Sequence, residues 1–98
     1  MNNVGFIGTG NMGFAIMKGI SESSLKDNVK IHAFDLKSDS LQRCSDIATL
    51  CSSEKEVVEN CKYVFLAVKP QVIDGVLATI KDYVTKDTVI VSILAGIT

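Results

Sequence analysis

Apolar runs recur along this chain at 3–7, 29–34, 47–51, 63–68 and 88–94, and the segments between them carry helical spacing. That alternation constrains the fold more than any other feature. Strands separated by helices pair in parallel through right-handed crossovers. The run "YVFLAV" (63–68) is apolar throughout, as suits a strand covered by helices on both faces. The expected order is β-α-β-α-β-α-β-α-β, an α/β chain on a doubly wound parallel sheet.

The intervening segments supply the helices. Residues 11–23 place Met12, Ala15, Ile16, Gly19 and Ile20 at i, i+3, i+4, i+7 and i+8, which predicts a helix with one apolar face. Ala15 and Gly19 are expected to leave that face flat against a sheet. Ser38 or Asp39 is a natural N-cap for a second helix, and "SSEKEVVENC" (52–61) opens a third with a serine cap and acidic residues in its first turn. "QVIDGVLATIKDYV" (71–84) places Val72, Ile73, Val76, Leu77, Ile80 and Val84 on the face of a fourth. "IATLC" (47–51) is the weakest strand. No linker, repeat or low-complexity tract interrupts the pattern, and 98 residues fit one small domain or a piece of a larger one. The last strand has no helix after it to cover it, so the end reads as a truncation.

The junction "VGFIGTGNMGFAIMKG" (4–19) carries G-x-G-x-x-G at Gly8, Gly10 and Gly13, between a strand and a helix. In that context the first glycine makes the tight turn, the second lets a pyrophosphate approach the backbone, and the third lets the helix pack on the strand. Free N–H groups at the start of the 11–23 helix, with the helix dipole, complete an anion site, and Thr9, Asn11 and Met12 are expected among the coenzyme-binding residues. Asp35 ends the next strand 22 residues beyond Gly13, close to the ~20 expected of the acid that binds the adenosine ribose. The plain alternative is a strand–turn–helix whose glycines serve packing alone. A carboxylate accepts from a free 2′-hydroxyl and repels a 2′-phosphate, so Asp35 leans the site toward NADH. Lys37 and Ser38 lie where a cation and a hydroxyl would serve NADPH, and the choice stays open between NADH and NADPH.

Two further segments share that edge. Ligands of open α/β sheets sit beyond the carboxyl ends of strands at the switch in strand order. The ends of the first and fourth strands are expected to flank it, which brings Ala67, Val68, Lys69 and Pro70 beside the glycines. Lys69 would balance phosphate charge, and Pro70 suits a first helical turn, where its missing N–H is no loss. Ala95 and Gly96, after the fifth strand, are small enough for a nicotinamide ring to lie against the backbone.

Composition excludes several classes. A formal net charge of -1 gives no broad electrostatic footprint for nucleic acid. No stretch approaches the ~20 apolar residues that span a bilayer, and the N-terminus lacks the charged and apolar regions of an export signal. The sequence therefore predicts a cytoplasmic protein with neither nucleic-acid nor membrane partner. Cys44, Cys51 and Cys61 are odd in number and lack C-x-x-C spacing, so free thiols are expected. His32 is the only histidine and lies in an apolar run, as a packing residue would. No metal site and no catalytic side chain is assigned.

Taken together, "GFIGTGNMGFAIMKG", "VFLAVKPQ" and "VSILAGIT" resemble the N-terminal half of pyrroline-5-carboxylate reductases, over the whole chain and in order. The glycine motif is shared with many dehydrogenases; the other two segments are more specific. The resemblance implies a Rossmann-like NAD(P)-binding domain over 1–98 and reduction of 1-pyrroline-5-carboxylate to L-proline by NADH or NADPH. It also implies a C-terminal helical domain, absent here, that dimerises and supplies most of the substrate pocket. The fragment alone is then expected to be inactive and the whole protein a homo-oligomer. Two positions depart from the family: many members have a neutral residue at Asp35, and an asparagine common near the start of the third helix is replaced around Ser53 and Glu54. The competing readings are a β-hydroxyacid dehydrogenase or deazaflavin-dependent NADP reductase, and a nucleotide-binding regulatory paralogue that reduces nothing.

Overall fold

The computed structural model of the chain describes residues 2–23 and 27–93. Its elements run β1 (Asn2–Ile7), α1 (Asn11–Ser21), β2 (Val29–Phe34), α2 (Ser38–Gln42), β3 (Thr49–Leu50), α3 (Glu54–Asn60), β4 (Tyr63–Leu66), α4 (Pro70–Ile80) and β5 (Val89–Ser92). The expected alternation and the parallel sheet are both present. Strand order is β3-β2-β1-β4-β5, so the chain steps outward from β1 in one direction, then returns to its other side at β4. The Ala95 and Gly96 predictions lie outside the described residues.

Strand pleating sorts β1 between two cores. Val4 and Phe6 face α1 and α2, joining Met17, Ile31, Ala33 and Cys44. Ile7 faces α3 and α4, joining Val57, Val58, Val64, Leu66, Val76 and Ile80. The Phe6 ring stacks on Phe65 of β4 at a centroid distance of 4.9 Å, a pair that ties adjacent strands beyond its area burial. Gly5 also faces α3: a Cβ there would run into Val57 Cγ1 and lie 3.0 Å from Cys61 Sγ. Its missing side chain lets α3 lie directly on β1.

Helix faces differ from the sequence expectation in α1 and in part of α4. In α1 the buried residues are Gly13 and Met17, with Phe14, Ile16 and Ile20 packed at the edge of the core. Met12, Ala15 and Gly19 are exposed. The face is therefore centred on 13, 16, 17 and 20, turned by one position, and Ala15 and Gly19 do not flatten it. Met17 is fully buried, which contributes roughly 1.5–3 kcal/mol. In α4, Val76 and Ile80 are buried and Ile73 packs beside them, while Val72 and Leu77 are exposed. Helix α4 stops at Ile80 rather than 84, and Val84 still joins the core.

Local chemistry explains the helix starts. Ser53 caps α3, its Oγ accepting from the Glu56 N–H at 3.2 Å, while Glu56 Oε1 accepts from the Ser52 N–H at 3.1 Å. Pro70 occupies the first turn of α4 as expected. The start of α2 is different. Lys37 holds the cap position without a side-chain bond, and Ser38 and Asp39 fall inside the helix. The side chain of Asp35 takes the Lys37 N–H instead, at 2.8 Å.

All three thiols are free and buried. Burial pushes Cys51 up to about 11 and Cys61 up to about 12. His32 is buried in β2, 3.4 Å from Asn3 Oδ1, and burial lowers its pKa. It stands inside the sheet as a packing residue.

Candidate coenzyme cleft

Beyond the carboxyl ends of β1, β2 and β4 lies a cleft of about 390 Å³. It opens where strand order reverses, between β1 and β4. Its walls include Gly8, Gly10, Asp35, Lys37, Ala67, Val68 and Lys69, seven of the residues singled out in the sequence.

The three glycines of the motif are needed for different reasons. Gly8 has φ 96°, a conformation L side chains rarely adopt, and a Cβ there would overlap the Ala67 carbonyl oxygen. At Gly13 a Cβ would stand 2.8 Å from the Gly8 oxygen and 3.0 Å from Ala67 Cβ. Both are therefore demanded by the protein itself, because the turn, α1 and the end of β4 meet there. Gly10 is not. Its φ of -68° and ψ of -172° suit any residue, and nothing lies within 4 Å of an added Cβ. Gly10 forms part of the cleft wall. The N–H groups of Gly10, Asn11 and Met12 find no acceptor among the described residues, and α1 has no side-chain cap. These are the orphan donors of a helix start, with the positive end of the dipole behind them.

Thr9 is fully buried beneath the turn. Its N–H and hydroxyl both donate to Asp35 Oδ2, at 2.7 and 2.9 Å. Its carbonyl accepts from Arg43 Nη2 at 2.9 Å, and the guanidinium lies 4.4 Å above the Phe14 ring. Asp35 Oδ1 takes the Lys37 N–H. The carboxylate thus holds the glycine turn and the start of α2 together while still lining the cleft.

Placement of the remaining residues is uneven. Asn11 and Met12 are exposed in the first turn of α1, Ser38 is exposed in α2, and Pro70 is exposed at the start of α4; none of these four forms a wall of the cleft. The walls also contain residues the sequence did not assign to the cleft, among them Leu36, Ser40, Glu54, Val72 and Val76. Leu36 is 81% exposed, and an apolar side chain directly after the strand-end acid is the signal that marks it. Glu54 reaches the cleft from the start of α3, and its carboxylate has no partner among the described residues. The cleft is apolar toward α4 and polar toward α2. A larger cavity of about 580 Å³ lies by Lys62, Asp82 and Asp87, away from every motif residue.

A pyrophosphate fits the Gly10 side of this cleft: the donors are unpaired, the Cβ position is vacant, and Lys69 and Lys37 bring positive charge to the rim. A ribose and an adenine ring fit the Asp35 and Leu36 side, where hydroxyl acceptors border apolar surface. Among the described residues, no group of three or more His, Cys, Asp or Glu side chains could hold a metal ion, and none of the described helices is long and apolar enough to cross a membrane.

Known proteins place this arrangement in a family. The chain is 41% identical over 98 residues to pyrroline-5-carboxylate reductase 3 of Danio rerio, covering 97% of this chain and 33% of that one. It thus spans about a third of the length of such relatives. Two solved structures align closely. One is a pyrroline-5-carboxylate reductase from Coxiella burnetii, with a TM-score of 0.83 and 26% identity over 99% of this chain and 37% of the other. The second, the Plasmodium falciparum pyrroline carboxylate reductase with NADP bound, has a TM-score of 0.77 and 27% identity over 98% of this chain and 34% of the other. A family model described as NADP oxidoreductase, coenzyme F420-dependent, matches residues 3–96, and the chain belongs to that family.

Proposed function

We propose that this chain is the coenzyme-binding domain of a reductase that uses NADH or NADPH to convert 1-pyrroline-5-carboxylate to L-proline. The observation that carries the reading is Gly10: a glycine with no steric duty in the protein, in the wall of a cleft beside the unpaired N–H groups of a helix start. The names of the relatives supply the reaction class.

In this reading the N–H groups of Gly10, Asn11 and Met12 bind the pyrophosphate, with Lys69 adding charge at the rim. Asp35 accepts from the adenosine ribose, and Leu36 covers the base. Lys37 and Ser38 stand at the 2′ position, where they would offset the repulsion of Asp35 for NADPH. Val68 and Ala67 flank the nicotinamide half. When bound, the coenzyme supplies a hydride from nicotinamide C4 to the imine carbon. The residues of this domain bind and orient, and none of them is assigned a proton-transfer role. The substrate carboxylate is held by a further domain of the whole protein, which acts as a homo-oligomer in the cytoplasm.

The test is oxidation of NADH and NADPH with pyrroline-5-carboxylate, run on the whole protein and on residues 1–98. Turnover is expected from the whole protein alone. Absence of turnover with both coenzymes, despite binding, would overturn the reductase reading in favour of a nucleotide-binding paralogue. The family description favours a second reading, hydride exchange between NADP and a deazaflavin. Deazaflavin-dependent turnover without imine reduction would select it.

A further inference from the structure

We infer that Arg43 is a positioning residue for the coenzyme phosphates, acting through the Thr9–Gly10 peptide without touching them. The inference rests on the coenzyme reading above. The Thr9 carbonyl and the Gly10 N–H belong to one peptide unit, and in a trans peptide they point in opposite directions. Arg43 Nη2 donates to that carbonyl at 2.9 Å. Gly10 forms part of the cleft wall, whereas Arg43 does not. The guanidinium therefore holds the peptide from behind and aims its N–H into the cleft. A charged donor on the carbonyl also polarises the amide, making its N–H a stronger donor to an anion.

Arg43 is itself fixed. It follows the last residue of α2 and lies 4.4 Å over the Phe14 ring of α1, a cation–π arrangement that restrains an otherwise exposed side chain. Asp35 holds the other side of Thr9 through its N–H and hydroxyl. One buried threonine is thus gripped by an anion at its N–H and a cation at its carbonyl, and the turn is set before any ligand arrives. Such preorganisation lowers the ordering cost of binding.

The test compares Arg43→Gln and Arg43→Lys with the unaltered whole protein, using NADH, ADP and adenosine as probes. Arg43→Gln is expected to weaken NADH and ADP about tenfold, to leave adenosine within about twofold, and to shift the Gly10 amide proton upfield in the ligand-free protein. Arg43→Lys, which keeps the charge, is expected to recover part of both effects. Equal weakening of ADP and adenosine would reveal a merely structural role and overturn the inference. So would unchanged ADP affinity with an unmoved Gly10 amide. If the unaltered protein binds neither NADH nor ADP, the coenzyme reading fails instead, while the Gly10 amide shift still judges the polarisation on its own.

Discussion

The two sides of the cleft are built differently. On the β1–β2 side, Thr9, Asp35, Lys37 and Arg43 form a continuous set of hydrogen bonds that fixes the backbone. On the β4 side, Ala67, Val68, Val72 and Val76 present apolar surface, and no side-chain hydrogen bond ties Lys69 to the described residues. The first side suits phosphate and sugar, whose binding depends on donors and acceptors in fixed places. The second suits a flat ring, held by contact area, that needs only an apolar wall. The difference teaches that a small domain can concentrate its polar constraints on the part of a ligand that is identical in every turnover.

The largest effect expected separates two glycines of the polar side. Gly8→Val is expected to cost about 3 kcal/mol or more, because it combines a disallowed φ with backbone overlap. Gly10→Val is expected to change stability by less than about 1 kcal/mol while removing detectable NADH binding. Thermal denaturation and titration calorimetry of the pair check this. Unchanged NADH affinity in Gly10→Val would erase the distinction between the glycines, and with it the site.

A smaller effect is expected at Asp35. Asp35→Asn weakens charge-assisted bonds of roughly 1.5–3 kcal/mol each to Thr9 and Lys37, so both coenzymes bind less tightly. Removal of the negative charge is also expected to move the NADPH-to-NADH affinity ratio upward, by about tenfold. Measured dissociation constants for both coenzymes decide it. A fall in both without a change in ratio would confine Asp35 to holding the turn and leave coenzyme choice with Lys37 and Ser38.

The smallest effect lies beneath α3, away from the polar side. Cys51 and Cys61 have folded-state pKa values raised from 9.0 to about 11 and about 12, chiefly by burial. The unfolded chain therefore releases protons first as pH rises. Their contribution to stability is intact below pH 9 and is lost progressively between pH 9 and about 11–12. Denaturant midpoints across that range are expected to fall, and the double variant Cys51→Ala with Cys61→Ala is expected to flatten the slope. An unaltered slope would show that other groups control the alkaline limb.

Much of the fold was legible because its signals are local. The apolar runs, the lone proline and the Gly8-x-Gly10-x-x-Gly13 spacing mark elements and their junctions within a few residues. The face of α1 was not legible, since Ile16 and Ile20 belong both to the expected stripe and to the true one. Gly13 settles the matter by packing with a hydrogen where other residues carry a side chain, and no apolar count registers that. The cleft was legible at its glycines and at Asp35. The grip on Thr9 was not, because its partners lie 26 and 34 residues away and meet only when β1 and β2 pair. Glu54, Val72 and Val76 reach the cleft by the way α3 and α4 cross the sheet, a three-dimensional fact that periodicity leaves open.

The first strand of the chain is the middle strand of the sheet, hydrogen-bonded to β2 on one side and β4 on the other. During synthesis β1 emerges well before β4, and Val4 finds its β4 partner, Tyr63, about 60 residues later. Until then one edge of β1 is bare, with Phe6 lacking its ring partner. A nascent chain paused in that interval presents a sticky apolar edge of the kind that invites aggregation or chaperone capture. Gly8 cannot meet Ala67 before β4 has joined, so nucleotide added to growing chains would protect only those that have passed this point.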